Sequence, residues 1–250
     1  MIAPVPTLFF GCGSVALPAL SRLLDSPLVA LVSVVTAPPR PAGRKQLLRP
    51  TPVADLAAER GLPIRTPRTL RDEAVVGELR ATGAELIVLA DYGRIIPAAV
   101  LDIPPSGALN IHPSLLPRHR GAAPVVGAIL AGDRTTGVTL MRMDEGLDTG
   151  PIVAQAVLPL EGTEVAPELE ARLAEMGADL LVAHLPAWLE GTLEARPQHE
   201  EGASLTKLLR REDGRLDPSR SAAELERLVR AYQPCSGSFL ELDGVSLKVW

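Results

Sequence analysis

Aromatic residues, cysteines and long apolar runs are all scarce in this sequence, and each shortage excludes a class of protein. Aromatic residues make up 3% of the chain and hydrophobic residues 46%, which predicts an aliphatic core and excludes a disordered chain. Cys12 and Cys235 are too few for a disulfide framework and fit no metal spacing, which indicates a reducing compartment. No apolar stretch reaches the roughly 18 residues of a membrane span, and no secretory signal pattern is present. We therefore expect a soluble cytoplasmic protein that contacts no membrane.

Positive charge is also in deficit, because the formal net charge is −5. This excludes a strongly basic nucleic-acid-binding surface over the whole protein. The predicted loop over residues 38–50 is a local exception, with four basic side chains and no acidic one. These side chains are Arg40, Arg44, Lys45 and Arg49. Such a patch suits phosphate contacts, and a solvated turn is the alternative interpretation.

Short apolar runs alternate with helical patterns over the first two thirds of the chain, which predicts a doubly wound, mostly parallel α/β sheet. The runs 29–37 and 84–91 are apolar without alternation, so we expect strands buried on both faces, the second of them central. Residues 107–112 predict a further strand. The runs TGVTLMRM and GPIVAQAVLPL are predicted to pair antiparallel, and residues 165–190 to form a long helix.

The end of the chain predicts a second, smaller unit. After a polar stretch, the runs GSFLEL and VSLKVW flank Asp243-Gly244, which is a hairpin signal. Two strands alone cannot bury a hydrophobic face. We therefore expect a catalytic domain over 1–190, a linker over 191–205 and an incomplete β-barrel-like domain over 206–250.

The glycines of FFGCGSVALPAL, Gly11 and Gly13, have the spacing of a dinucleotide-binding turn. An NAD site needs an acidic residue after the second strand, and the run VVTAPPR has none, although Arg40 leaves an NADP site open. We interpret the glycines as a tight turn after the first strand whose bare backbone faces a substrate.

The most informative stretch for chemistry is ALNIHPSLLPRHRGAAP. Asn110 and His112 lie two apart on a predicted strand, so both side chains point to one face, at the end where open α/β sheets bind ligands. An Asn amide can donate to an oxyanion, and a His can move a proton at neutral pH.

The turn MDEGLDTGP supplies Asp144, Glu145 and Asp148, any of which would favour an imidazolium if it approached His112. A purely structural role for His112 is the alternative. For His119, His184 and His199 we expect only surface or core roles.

The runs NIHPSLLPRHRGAAP and GVTLMRMDEGLDTGPI, with their N-x-H, SLLP and D-x-G signatures, resemble the formyltransferases that use 10-formyltetrahydrofolate. The resemblance extends in order over essentially the whole chain, and includes RPAGRKQLLRPTPV and LTKLLRREDGRLD. It is closest to members that formylate the α-amino group of methionyl-tRNA.

The resemblance implies that Asn110, His112 and Asp148 are the catalytic trio and that 10-formyltetrahydrofolate is a co-substrate, with no metal. It implies folate binding by Ser114, Leu115, Leu116, Pro117, Tyr92, Gly93, Arg94, Ile95 and Ile96. It also implies that the basic loop reaches the tRNA acceptor arm, and we expect a monomer.

Two features depart from the family pattern. The run from Cys12 to Val15 differs at a turn that faces the amino-acid end in the relatives, and the family's C-terminal β-barrel continues beyond a KVW of this kind. Two alternatives therefore stay open: a formyltransferase for a small amine, such as an amino sugar nucleotide or glycinamide ribonucleotide, and a non-catalytic remnant that binds folate or tRNA.

Overall fold

The computed structural model describes residues 3–42, 46–234, 237–242 and 244–250. The helices are α1 (Leu17–Leu24), α2 (Pro52–Glu59), α3 (Glu73–Arg80), α4 (Ala98–Leu101), α5 (Pro124–Ala131), α6 (Ala166–Leu189) and α7 (Ala222–Ala231). The strands are β1 (Val5–Gly11), β2 (Val29–Val35), β3 (Arg40–Ala42), β4 (Leu47–Arg49), β5 (Ile64–Arg65), β6 (Leu86–Ala90), β7 (Ala108–His112), β8 (Arg120–Gly121), β9 (Thr135–Arg142), β10 (Ile152–Pro159), β11 (Leu205–Thr206), β12 (Ser238–Leu242) and β13 (Val245–Val249).

Seven strands form the main sheet, in the order β10-β9-β7-β6-β1-β2-β5. The five strands from β7 to β5 run parallel, whereas β9 pairs antiparallel with both β7 and β10. This arrangement confirms the predicted mostly parallel fold, the antiparallel pair at its end and the central place of β6.

The sheet is covered on both faces because its central strands alternate apolar side chains between two cores. Phe9 of β1 lies in the core with Leu20 of α1 and Leu181 of α6. Its neighbour Phe10 points the other way and packs in the core that includes Leu79 of α3. Helices on both faces leave the carboxyl ends of the parallel strands as the open edge where ligands bind in such sheets.

The long helix α6 supports the strand that carries the predicted catalytic residues. Pro167 lies in its first turn, where a missing N–H costs little. Gly177 lies directly against Ile111 of β7, and an added Cβ would overlap that side chain. The helix and β7 therefore pack closely at this point.

The prediction that residues 29–37 are buried on both faces is wrong for the first half of β2. Ala30 is exposed, and Leu31 is only half-buried. The cause is the length of the neighbouring strand, because the two-residue β5 pairs with β2 at Val34 and Val35.

The C-terminal part packs on the main body. Leu228 and Ala231 of α7 belong to the core beneath the sheet, and α7 contacts α5. The strands β12 and β13 form the predicted antiparallel hairpin. Asp243 of its expected turn and Cys235 lie outside the described residues. The three predicted domain boundaries stay a prediction.

The stretch 191–205 is held against the main body of the protein. A bridge joins Ile152 to Arg196, and β11 pairs in parallel with β8.

Among the helices described above, none is long and apolar enough to cross a bilayer.

The core beneath α6 gives a stability prediction. Leu109 of β7 is fully buried there, so Leu109→Ala should lower the free energy of unfolding by about 2–5 kcal/mol through lost burial and a cavity. Denaturant unfolding measures this change. Leu208 is 74% exposed, and Leu208→Ala should change the free energy by about 0.5 kcal/mol or less. Equal losses in the two variants would contradict the assigned core.

Candidate active site

The strand β7 presents Asn110 and His112 on one face of the sheet, because side chains two residues apart on a strand point the same way. Leu109 and Ile111 alternate with them and pack in the core beneath α6. The His112 side chain is buried, and Asn110 is half-buried. The part of the chain that is described gives the Asn110 amide no hydrogen-bond partner. The amide is therefore free to donate to a ligand.

The His112 ring is oriented by a backbone carbonyl. Its Nε2 lies 2.9 Å from the oxygen of His119. Because a carbonyl oxygen only accepts, Nε2 carries the hydrogen. In the neutral ring, Nδ1 therefore holds the lone pair and is the atom that can take up a proton.

Asp148 faces that free nitrogen. The distance from Nδ1 of His112 to Oδ2 of Asp148 is 3.7 Å, longer than a hydrogen bond. The same carboxylate oxygen accepts from the backbone N–H of Gly121 at 2.8 Å. Asp148 has a φ of 53° and Gly121 a φ of 101°, so the backbone turns sharply at both points to bring these groups together.

The electrostatics favour a neutral imidazole. Burial lowers the pKa of His112 below its ordinary value of 6.5, and the negative charge of Asp148 and the hydrogen bond to His119 oppose this shift. Burial prevails, so the resting ring is a proton acceptor at neutral pH.

Of the three acidic residues in the turn after β9, Asp148 is the one that meets His112. The turn begins beside the start of β7, where the N–H of Met143 donates to the carbonyl of Ala108 at 2.8 Å. Asp144 accepts there from Gly146 and Thr149 within the turn. Asp144 and Glu145 line an open cavity of about 440 Å³ at that end of the strand.

The predicted folate-binding run after β7 forms a compact loop. Ser114 is buried and its hydroxyl donates to the carbonyl of Arg118 at 2.7 Å. Leu116 packs with Met141 and Ile152 in a small core. Leu115 and Pro117 are half-buried, so their side chains are the ones in this run that can reach a ligand.

A second open cavity, also of about 440 Å³, lies at the carboxyl ends of β1, β2 and β6. Its lining includes Tyr92, Gly93 and Arg94 from the predicted folate wall together with Arg40 and Arg49 from the basic loop. The two binding surfaces predicted separately thus share one cavity.

The residues around this cavity differ in how far their side chains are exposed to solvent. Burial raises the pKa of Tyr92 to about 12, although the positive charge of the Arg94 guanidinium beside its hydroxyl opposes this shift. Ile96 is buried in the core and Ile95 is 73% exposed. Arg40 and Arg49 pair across β3 and β4 and are exposed. Arg44 and Lys45 lie outside the described residues.

The glycine turn after β1 contacts protein rather than open space. A Cβ on Gly11 would overlap the ring of Phe9 and the carbonyl of Ala90. Gly13 lines the cavity, but its backbone faces the Asp91 carboxylate and donates its N–H to it. Burial nevertheless raises the pKa of Asp91. The expectation that both glycines face a substrate is therefore wrong for Gly11.

His119 has a structural role that its position in a basic loop did not reveal. Its side chain is buried, and its Nε2 lies 2.7 Å from Oδ2 of Asp133. The same carboxylate binds the guanidinium of Arg118. The contact with Asp133 holds His119 in place, and the φ of His119 is 58°. This backbone conformation points the His119 carbonyl at His112. His184 bonds the Leu180 carbonyl within α6.

Further contacts, which no sequence motif indicates, surround Asn110, His112 and Asp148. Gln198, in the predicted linker, donates to the carbonyls of Asp148 and Gly150. Arg120 is buried and donates to the side chain of Gln198. Residues whose contacts are mostly with backbone atoms leave no motif, so only the tertiary structure could identify them.

Comparison with known proteins shows the family of this chain. Residues 6–185 match the family described as "Formyl transferase". The chain is 49% identical to the methionyl-tRNA formyltransferase of Chloroflexus aurantiacus over 97% of its own length and 78% of the relative's. It is 45% identical to the methionyl-tRNA formyltransferase of Pseudomonas fluorescens over 100% of its length and 78% of the relative's.

A solved structure shares the fold at low sequence identity. The N-formyltransferase of Helicobacter canadensis, in complex with folinic acid and dTDP-3-aminofucose, superposes with a TM-score of 0.71 at 16% identity. The match covers 97% of this chain and 86% of that one. This likeness concerns the fold.

The contact between His112 and Asp148 gives a titration prediction. His112 should titrate below 6.5 because its ring is buried. Asp148→Asn should lower the pKa of His112 further, since it removes the charge that favours the imidazolium. NMR titration of the imidazole signals measures both values. Asp144→Asn should leave the pKa of His112 unchanged, and an equal shift in the two variants would contradict the assigned pair.

Proposed function

The chain belongs to the methionyl-tRNA formyltransferases of the formyl transferase family, and we propose that Asn110, His112 and Asp148 carry out its chemistry. The reaction moves a formyl group to the α-amino group of methionyl-tRNA. We propose 10-formyltetrahydrofolate as the formyl donor and co-substrate.

The observation that carries the residue assignment is the orientation of His112. Its Nε2–H is occupied by the His119 carbonyl, and its free Nδ1 faces Asp148. A buried ring that merely filled space would need no carboxylate at its unprotonated nitrogen. This arrangement suits a base that becomes charged for part of the reaction.

The proposed proton path follows from that geometry. The neutral amine attacks the formyl carbon, a new N–C bond forms, and the amine nitrogen gains positive charge. Nδ1 of His112 accepts the proton that this nitrogen releases. Asp148 stabilises the resulting imidazolium. When the bond from the formyl carbon to the donor nitrogen breaks, His112 returns the proton to the departing nitrogen.

Asn110 supplies the second requirement of acyl transfer. The formyl oxygen gains negative charge as the amine attacks, and an amide N–H can stabilise that charge. Asn110 lies on the same face as His112 and has no partner among the described residues. Removing one such donor from an enzyme costs about 2.7–4 kcal/mol in the transition state.

We place the folate donor against Tyr92, Gly93 and Arg94 and against Leu115 and Pro117. The Tyr92 hydroxyl lies beside the Arg94 guanidinium, and both residues line the cavity. A cavity of about 440 Å³ is in the size range of small-molecule sites. Folate binding stays a prediction for Ser114, Leu116, Ile95 and Ile96. The buried members of this set are Ser114, Leu116 and Ile96, and we propose that they shape the site through their packing.

The basic loop is our proposed contact for the tRNA acceptor arm. Arg40 and Arg49 are exposed side by side on β3 and β4, and their charges suit phosphate oxygens. The tRNA-binding roles of Arg44 and Lys45 stay predictions. We also propose that the protein is a cytoplasmic monomer and that it uses no metal.

A test of the catalytic assignment combines labelled 10-formyltetrahydrofolate with charged methionyl-tRNA. His112→Ala should lower the transfer rate by at least about 100-fold, because general acid-base catalysis contributes that much or more. Binding of the folate donor should change little. His199 is exposed, and His199→Ala is the matched control that should keep the wild-type rate.

The same assay separates the alternatives. Transfer to free amino sugars but not to charged tRNA would support a small-amine enzyme, and folate binding without turnover would support a non-catalytic protein. A His112→Ala rate within threefold of the wild type would remove His112 from the mechanism.

The tRNA-binding surface gives a separate prediction. Arg40→Ala and Arg49→Ala should each weaken tRNA binding and reduce the slope of log K against log salt concentration by about 1, because each removes about one phosphate contact. Binding titrations at several salt concentrations measure this slope. Arg80 is an exposed arginine at the end of α3, and Arg80→Ala should leave the slope unchanged. Unchanged slopes in the loop variants would exclude the loop from the interface.

A further inference from the structure

Gln198 lies at the junction of the two segments that hold His112 and Asp148. Its Nε2 donates to the backbone carbonyl of Asp148 at 2.8 Å and to that of Gly150 at 2.7 Å. Its Oε1 accepts from Nε and Nη2 of Arg120 at 3.1 and 2.9 Å. Both ends of the amide are therefore used, each by a different part of the site.

Arg120 belongs to the loop that orients the catalytic groups. It lies between His119, whose carbonyl accepts from His112, and Gly121, whose N–H donates to Asp148. Gln198 binds this loop through its hydrogen bonds with Arg120. It binds the turn that carries Asp148 through its hydrogen bonds to the carbonyls of Asp148 and Gly150. A single side chain thus links the two halves of the His112–Asp148 pair.

The rest of the segment contacts the loop around Arg120 through both side-chain and backbone atoms. Ser204 accepts from the N–H of His119 through its hydroxyl at 2.8 Å and from the N–H of Arg120 through its carbonyl at 2.8 Å. The Thr206 hydroxyl donates to the Arg120 carbonyl at 3.0 Å and accepts from the N–H of Ala123 at 3.1 Å. The strand pair β8 and β11 keeps the two segments in register.

We propose that Gln198 is a positioning residue for formyl transfer, and that its contacts set the distance between Asp148 and His112. The proposal rests on the proposed catalytic roles of that pair. It assigns a function to a stretch that the sequence presents as a linker.

The physical basis is the strained path of the Asp148 turn. Asp148 has a positive φ, which costs free energy for a residue other than glycine. The two bonds from Gln198 offset this cost and hold the carboxylate where it faces Nδ1. Without them the turn can relax, and the carboxylate can leave the imidazole.

The charged or titratable groups that act on His112 are Asp148 and His119. The charge of Asp148 raises the pKa of His112, whereas burial and His119 lower it. Displacement of Asp148 should therefore move the pKa of His112 downward. A change in general stability alone would not produce this shift.

The experiment compares Gln198→Ala and Gln198→Glu with the wild type in the tRNA formylation assay. Both variants should lower kcat by about 10- to 100-fold, because small misplacements of catalytic groups have effects of that size. KM for both substrates should stay within about twofold, since Gln198 contacts catalytic segments rather than ligand. NMR titration should show a lower pKa for His112 in Gln198→Ala.

Gln198→Glu keeps the acceptor for Arg120 and removes the two donors to the carbonyls, so it provides a folded variant if Gln198→Ala fails to fold. His199→Ala changes the neighbouring exposed side chain and should match the wild type. Wild-type kcat and an unchanged His112 pKa in a folded Gln198 variant would overturn the proposal.

Asp148→Asn separates this inference from the catalytic assignment. If Asp148→Asn is inactive and the Gln198 variants are fully active, only the role of Gln198 fails. If Asp148→Asn retains wild-type activity, the proposed catalytic pair itself fails.

Discussion

A buried, neutral imidazole held between two oxygen atoms is the constraint on which the site depends. His112 has the His119 carbonyl at one nitrogen and the Asp148 carboxylate near the other. Burial opposes the charged ring, so the carboxylate has an effect only if it is held close. Most of the unusual backbone in this region serves that purpose.

The positive φ values at His119, Gly121 and Asp148 show how the chain meets this constraint. Each aims a backbone or carboxylate group at its partner, and each has an anchor. His119 is fixed by the hydrogen bond with Asp133, Gly121 by the strand pair with β11, and Asp148 by the bonds from Gln198. Strained backbone at a functional site persists because its surroundings determine it.

The sheet supplies a rigid base, and the loops supply recognition. The strand β7 lies between β6 and β9 and packs on α6, so Asn110 and His112 are presented by a buried element. The cavity at the ends of β1, β2 and β6 is instead formed largely by loops. These loops carry the surfaces that we propose for the folate donor and for the tRNA, so recognition can differ between proteins of one fold without a change in the sheet.

Sequence patterns predicted the elements well where burial alone sets the pattern. The continuous apolar run of β6 and the two apolar runs that flank a turn, β9 and β10, sufficed, because they record which residues are covered. The pattern failed for the first half of β2, where the short neighbour β5 leaves side chains half-buried. The sequence of a strand does not indicate how long its neighbouring strand is.

The same distinction applies to the site. Sequence by itself determined that Asn110 and His112 share a face, because the period of a strand is local, and motif resemblance nominated Asp148. Only the tertiary structure decided which carboxylate of the turn meets His112, which carbonyl orients its ring, and that Gln198 joins the two. These contacts join different segments of the chain, and most involve backbone atoms that every residue possesses. The side chains alone therefore carry no signal of them.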